Sequence, residues 1–391
     1  MAHDGYRSAR RMRRSPAWGS AAIPWNPMRR AVVVKLGSST LVDGQRRLRR
    51  ARLARIASEL VALQLTGTPV CVVSSGAIAL GLGALDREVR PSDVPSLQAA
   101  SAVGQGLLAG AWQRALASAG GRAAQVLLTA DDVRRRTSYL NARATLEALL
   151  AWDVVPIVNE NDSTATDEIT FGDNDALAAQ VALLLRARLL VLLTDADGLY
   201  TRDPRAEGAE LVREVHDQAL LADLELDSAS PSGLGSGGMR SKVVAASMAA
   251  GGGVACVIAS GAAPGTIARA VAGKAVGTRF SAARRPVSAW KLWLRYGKPP
   301  AGRVFVDAGA RTALLTRGAS LLPVGVQRVE GTFRAGDAVR VCTLDGVPFA
   351  TGVVTMGSAE LRRAAGQHSA VAGVPEAIHR DNLVLHDGRD D

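Results

Sequence analysis

The sequence predicts an α/β fold, an open and mainly parallel sheet sandwiched by helices, followed by a small β-barrel-like module. Three observations predict it. Short valine- and leucine-rich runs without internal alternation recur from Ala31 to Ala259, as strands buried on both faces require. Segments with helical spacing of apolar residues lie between them, so strand and helix alternate. After residue 299 the pattern changes to short strands separated by Gly/Asp turns, which indicates a β-rich unit.

Taken in order, residues 1–28 read as a disordered basic leader, with five arginines against one acid and a Trp/Gly/Pro mixture that has no periodicity. They lack the apolar stretch of a secretory signal, and Met28 stands directly before the first strand as a candidate start. Residues 29–285 form the main domain. Its strand-like runs are 31–36, 70–73, 124–128, 154–158, 189–193 and 254–259, and its helical patterns are 52–65, 97–119, 140–150, 175–185 and 240–250. Residues 286–298, with Pro286, Trp290 and Trp293, read as a linker. Residues 299–385 form the second module, with strands at 304–306, 339–342 and 353–355 and turns at Gly336-Asp337 and Asp345-Gly346, and 386–391 are a tail.

Composition bounds the function. The chain has 391 residues, 48% hydrophobic and 21% charged, which suits a soluble globular protein. No apolar run approaches the roughly 20 residues of a membrane-spanning helix. Cys71, Cys256 and Cys342 are odd in number, widely spaced and set in apolar runs. They read as buried reduced thiols of a cytoplasmic protein, without zinc-ligand spacing. The net charge of +11 divides into +4 for residues 1–28, +7 for 29–298 and zero for 299–391. A modest positive field suits anionic substrates and is not the concentrated patch of a nucleic-acid binder. Only five lysines stand against 42 arginines, and Lys35 and Lys242 both lie near glycines, where a compact point charge is useful.

Six motifs carry chemistry. Lys35-Leu36-Gly37-Ser38-Ser39 ends the first strand; glycine and small hydroxyl residues let backbone N–H groups reach phosphate oxygens, and Lys35 adds charge. A Walker A pattern is absent. Ser74-Ser75-Gly76-Ala77-Ile78 opens a helix, an anion site or an ordinary N-cap by Ser75. Asn159-Glu160-Asn161-Asp162-Ser163 and Gly172-Asp173-Asn174-Asp175 are two dense amide and carboxylate clusters, able to grip an amino group, hold lysines or bind water on Mg²⁺. Thr194-Asp195-Ala196-Asp197-Gly198 follows a very apolar strand and reads as a nucleotide-facing loop or a hairpin turn. Gly233 to Lys242 contains a glycine-rich loop, then a helix with Lys242 near its start. Lysine is unfavourable there unless an anion is present. Every motif is expected beyond the carboxyl ends of the strands, where open α/β sheets bind ligands. None contains a histidine. That suits a carboxylate acceptor, which with a pKa near ~4.3 is already ionised and needs no general base.

In this order the motifs resemble the amino-acid kinase family from about Arg30 to Arg285, and within it the glutamate 5-kinases. Asn159-Glu160-Asn161-Asp162 followed by Gly172-Asp173-Asn174-Asp175 is the most particular part. The tail from Pro299 resembles a PUA module, most clearly at Gly318 to Gly325. The resemblance implies the amino-acid kinase fold and ATP-dependent phosphorylation of L-glutamate to glutamyl 5-phosphate, the first step of proline synthesis, with Mg²⁺ as the metal. It implies that Lys35 and Lys242 neutralise the transferring phosphoryl group and that Asp175 positions both. Ser75, Gly76, Asp162 and Asn174 would bind glutamate. Lys35, Gly37, Thr194, Asp195, Ser236, Gly237, Gly238, Met239, Arg240, Ser241 and Lys242 would bind ATP. No protein metal ligand is assigned. Ser236 and Ser241 stand where the family usually has threonine and keep the hydroxyl. Homo-oligomerisation, feedback inhibition by proline and hand-over of product to glutamyl phosphate reductase are implied partners. The neutral second module argues against strong RNA binding. Two other readings stay open: a sister kinase acting on acetylglutamate, aspartate or carbamate, and an RNA-associated protein with a vestigial kinase domain.

Overall fold

The computed structural model describes residues 30–129, 132–133, 135–164, 174–216, 238–284, 286, 291, 294, 300–367 and 375–386. The leader, most of the linker and all but the first residue of the tail lie outside these residues. Eight strands form the first sheet: β1 (Val32–Leu36), β2 (Val70–Ser74), β3 (Arg122–Leu128), β4 (Val154–Glu160), β5 (Leu189–Thr194), β6 (Glu214–Val215), β7 (Ala255–Ser260) and β8 (Thr278–Phe280). Their order is β3-β4-β2-β1-β5-β7-β8-β6. All neighbours pair in parallel except β7 and β8. The two shortest strands, β6 and β8, carry no periodicity that sequence could reveal.

Helices cover both faces, as the apolar strands require. They are α1 (Ser38–Leu41), α2 (Arg50–Leu65), α3 (Ala77–Ala84), α4 (Val94–Ser118), α5 (Arg136–Ala151), α6 (Asn174–Leu184), α7 (Met239–Gly251) and α8 (Thr266–Val271). Alternation along β1 divides the core in two. Val32, Val34 and Leu36 pack with residues of α2, α3, α4 and α8. Ala31 and Val33 face the other way, onto α5, α6 and α7. Lys35 shares the second face, because side chains two apart on a strand point the same way.

The second unit has five strands, β9 (Gly302–Val306), β10 (Val326–Gly331), β11 (Ala338–Cys342), β12 (Pro348–Val354) and β13 (Ile378–Leu385), in the order β10-β9-β11-β12-β13. It also contains two helices, α9 (Ala308–Arg317) and α10 (Ser358–Ala364), so it is β-rich and not all-β. The Asp307 carboxylate caps α9 by accepting from the Ala310 N–H, and Gly318 ends the helix in the left-handed conformation. Val304, Val339, Val341 and Phe349 lie in its separate core.

One contact positions the site from the first core. At the crossing of α3 and α4 the backbones touch. A Cβ on Gly81 would lie 1.8 Å from the Ala100 carbonyl oxygen, and one on Gly104 would lie 1.8 Å from that of Ala77. Both obstacles are backbone atoms and neither can turn aside. Gly106, one residue pair further along α4, has nothing within 4 Å.

Alanine in an open helix position stabilises by about 1 kcal/mol over glycine, whereas overpacking costs about 1–3 kcal/mol. Gly81→Ala and Gly104→Ala will therefore lower the thermal unfolding midpoint, and Gly106→Ala will raise or preserve it. Calorimetric unfolding of the three variants checks the opposite signs.

Candidate active site

Lys35, Asp175 and Lys242 meet at the carboxyl end of β1. Asp175 lies in the first turn of α6 and Lys242 near the start of α7, the two helices that cover the face of β1 from which Lys35 projects. Lys35 Nζ is 2.5 Å from Asp175 Oδ1, and Lys242 Nζ is 3.1 Å from Asp175 Oδ2. Their side chains are 4%, 0% and 7% exposed for Lys35, Asp175 and Lys242. Two buried cations share this one carboxylate, and ammonium groups gathered in a buried setting favour an anionic ligand beside them. Ser241 Oγ lies 2.9 Å from both Asp175 Oδ2 and the Gly238 carbonyl oxygen. The anion that the sequence called for beside Lys242 is thus in the first instance Asp175. A Cβ on Gly37 would sit 3.8 Å from Lys35 Nζ, so bare backbone runs beside the ammonium and leaves it approachable.

A second cluster is built from hydrogen-bond acceptors. Gly76 begins α3 with φ 111°, a conformation that glycine adopts without strain. Ser75 is not the N-cap of that helix. Its hydroxyl instead accepts from Asn174 Nδ2 at 2.8 Å, which removes the capping interpretation. The same nitrogen donates to Asn159 Oδ1 at 2.9 Å. Asn174 Oδ1 is buried and has no hydrogen-bond partner among the described residues. Asp162 is buried and accepts from the Ser101 hydroxyl. Burial pushes the Asp162 carboxyl above its ordinary value, while the Ser101 hydrogen bond and the Arg90 charge pull it back. Arg90 is itself shifted down by desolvation and by Arg46, with Asp162 opposing.

Sequence reasoning did not select Ser101, Gln105, Arg90 or Trp112. Ser101 and Gln105 are four apart on α4, hence on one face, and both are buried. Gln105 donates to the Glu160 carbonyl at 3.0 Å and accepts from Asn159 Nδ2 at 3.1 Å. Trp112 donates from Nε1 to Ser74 Oγ at 2.9 Å. Two polar residues at helical spacing amid small and apolar ones were the available signal. Arg90 left none, because nothing in a polar loop marks one arginine among 42.

The expected nucleotide residues divide. Gly238 precedes α7, and Met239, Arg240 and Ser241 form its first turn with Lys242 directly after. Ser236 and Gly237 lie outside the described residues. Thr194 ends β5, and its carbonyl accepts from the Gly261 N–H at 2.8 Å. Asp195 Oδ1 lies 3.8 Å from Arg52 Nη1, which also donates to the Thr40 carbonyl at 3.3 Å. Asp197-Gly198 is not a hairpin tip. Gly198 packs against Thr278, where a Cβ would be 2.7 Å from Oγ1, and the antiparallel bridge comes later, between Tyr200 and Leu211. One expectation needs correction. The motifs at Lys35, Ser75, Asn159 and Thr194 do follow strand ends, but Asn174, Asp175 and Lys242 are delivered by helix starts. The described residues contain no group of three or more His, Cys, Asp or Glu side chains able to hold a metal ion. All three cysteines are free and buried.

Two buried lysines thus meet one carboxylate at the centre of an open, mainly parallel sheet. The chain belongs to the amino acid kinase family, whose model matches residues 30–260. A PUA domain model matches residues 302–371. The chain is 45% identical over 363 residues to the glutamate 5-kinase of Geobacter metallireducens, covering 90% of this chain and 97% of the relative. It is 44% identical over 364 residues to the glutamate 5-kinase of an Enterobacter species, covering 90% and 98%. The Escherichia coli glutamate 5-kinase is also 44% identical over 363 residues. Among solved structures, UMP kinase from Bacillus anthracis superposes with TM-score 0.47 and 17% identity, over 64% of this chain and 96% of that one.

The raised Asp162 carboxyl has a consequence for stability. A carboxyl whose folded value lies above its unfolded one destabilises the fold once ionised, and stability falls as pH rises from the ordinary 3.8 through the folded value. Asp162→Asn keeps the shape and an acceptor for Ser101 but removes that charge. The ligand-free variant will melt higher than wild type at neutral pH, and the gain will shrink as pH falls toward the ordinary carboxyl value. Thermal unfolding across that pH range checks it.

Proposed function

We propose that this protein transfers the γ-phosphoryl group of ATP to the side-chain carboxylate of L-glutamate, giving L-glutamyl 5-phosphate and ADP in proline synthesis. The observation that carries this reading is the buried Lys35–Asp175–Lys242 bridge. A glutamate carboxylate oxygen attacks the γ-phosphorus, the new P–O bond forms and the bond to the bridging oxygen of ADP breaks. No proton has to move, which agrees with motifs lacking histidine. Catalysis of this kind is mostly positioning and neutralisation of spread charge. Lys35 and Lys242 supply the charge from two directions, and Asp175 keeps both ammonium groups aimed at one point. Gly37, Thr194, Asp195 and the start of α7 from Gly238 to Ser241 would bind the nucleotide, together with Ser236 and Gly237.

Ser75, Gly76, Asp162 and Asn174 would hold the acceptor. The Asp162 carboxylate and the unpartnered Asn174 oxygen are both acceptors and suit a free ammonium group. An N-acetylated substrate offers them one uncharged N–H in place of three charged ones, so at least one acceptor is left unsatisfied, and a site built to bond a donor rejects analogues lacking it strongly. This favours glutamate over acetylglutamate. Both Asp175 oxygens face lysines, so Asp175 would not serve as a ligand of Mg²⁺. The ion would arrive on the nucleotide phosphates, as it commonly does in phosphoryl-transfer sites, and supply further charge neutralisation there. The same reading makes the protein a cytoplasmic homo-oligomer inhibited by proline, whose acyl-phosphate product passes to glutamyl phosphate reductase. No helix of the described residues is long and apolar enough to cross a membrane.

ADP release measured separately with glutamate, acetylglutamate, aspartate and carbamate tests the assignment. Glutamate will be turned over far faster than the others, and equal use of acetylglutamate would overturn it. Lys242→Ala will lower kcat by about 10²–10³-fold with little change in the KM for glutamate. Near-normal turnover in that variant would remove Lys242 from the role given to it.

A further inference from the structure

Three buried amides, Gln105, Asn159 and Asn174, form a hydrogen-bonded row that starts at the Glu160 peptide, and the polarity of the bonds sets which way each one points. Gln105 Nε2 donates to the Glu160 carbonyl at 3.0 Å. A carbonyl can only accept, so the nitrogen end of Gln105 is settled and Oε1 faces away. That oxygen accepts from Asn159 Nδ2 at 3.1 Å and from Gln125 Nε2 at 3.3 Å. Asn159 therefore turns Oδ1 to the opposite side. There it accepts from the Glu160 N–H at 2.9 Å and from Asn174 Nδ2 at 2.9 Å. The other Asn174 N–H goes to Ser75 Oγ at 2.8 Å. What remains is Asn174 Oδ1, buried without a hydrogen-bond partner among the described residues.

We infer that Gln105 is a positioning residue for recognition of the acceptor's amino group. Acting through Asn159, it holds the Asn174 amide with its oxygen toward the substrate ammonium. The inference rests on the glutamate reading above. An amide has nearly the same shape in both orientations, so packing alone does not choose between them. Only the hydrogen-bond polarity does, and here it is set by two backbone groups that cannot be reversed: the Glu160 carbonyl, acting through Gln105, and the Glu160 N–H, which donates to Asn159 Oδ1 directly. The flipped Asn174 would point two N–H donors at a cation. Gln105 is buried on the face of α4 that also carries Ser101, the Asp162 partner, so the same helix steadies both acceptors.

The test compares glutamate with glutarate, which has both carboxylates but no amino group. Wild type will prefer glutamate strongly; if it does not phosphorylate glutamate at all, the function proposed above fails and not the relay. In Gln105→Met, of similar size but without the relay bonds, the KM for glutamate will rise about tenfold, the scale of one unmet buried hydrogen bond. The KM for ATP will stay the same, and the kcat/KM preference over glutarate will fall by the same factor. Gln125→Leu, which removes the second donor to Gln105 Oε1, will shift the ratio in the same direction but less, and it carries the test if the methionine variant does not fold. An unchanged glutamate-to-glutarate ratio, or equal KM increases for both acceptors, would overturn the inference.

Discussion

The constraint on which the site depends is electrostatic. One carboxylate with no solvent exposure is shared by two buried lysines, and the three groups come from three elements far apart in the chain. Lys35 arrives on the central strand, Asp175 and Lys242 on the helices laid over it. Each ammonium alone would be expensive to bury, and the pair without Asp175 would repel at close range. The arrangement holds only if α6 and α7 begin at the same height above the sheet. The apolar sides of those helices, from Leu177 to Leu184 and from Val243 to Ala250, ensure this by filling a single core with Val33, Leu190 and Ile258.

The groups around the site differ in kind. The triad presents two ammonium groups and one carboxylate, whereas Asp162 and the Asn174 oxygen are acceptors. On the glutamate reading the lysines would serve any phosphoryl acceptor, and it is the second set that would tell one acceptor from another.

Much of the fold was legible because continuous apolar strands and helical spacing are local signals. The runs at Val32–Leu36 and Leu189–Thr194 lie side by side in the sheet, and the helices at Asn174–Leu184 and Met239–Gly251 begin within a residue of their expected starts. The lysines stood out because they are rare and lie near glycines. Less visible was everything set by tertiary contact. Ser75 carried the local signal of a cap, but the Asn174 amide took its hydroxyl. Asp197-Gly198 carried that of a hairpin, but contact with Thr278 placed it elsewhere. Gln105 and Ser101 looked like ordinary polar positions on a long helix until their partners on β4 and the following loop were known. The helices of the second unit were missed because α9 and α10 are short and their apolar spacing is sparse.

The glycine crossing of α3 and α4 bears on how the pocket moves. Gly76, at the head of α3, borders the pocket beside Ser75, and Ser101 and Gln105 on α4 support its far wall. With Gly81 and Gly104 pressed backbone to backbone, the two walls cannot slide past each other by turning side chains. They form one rigid bracket, so any shift of Ser75 relative to Ser101 and Gln105 must displace both helices together.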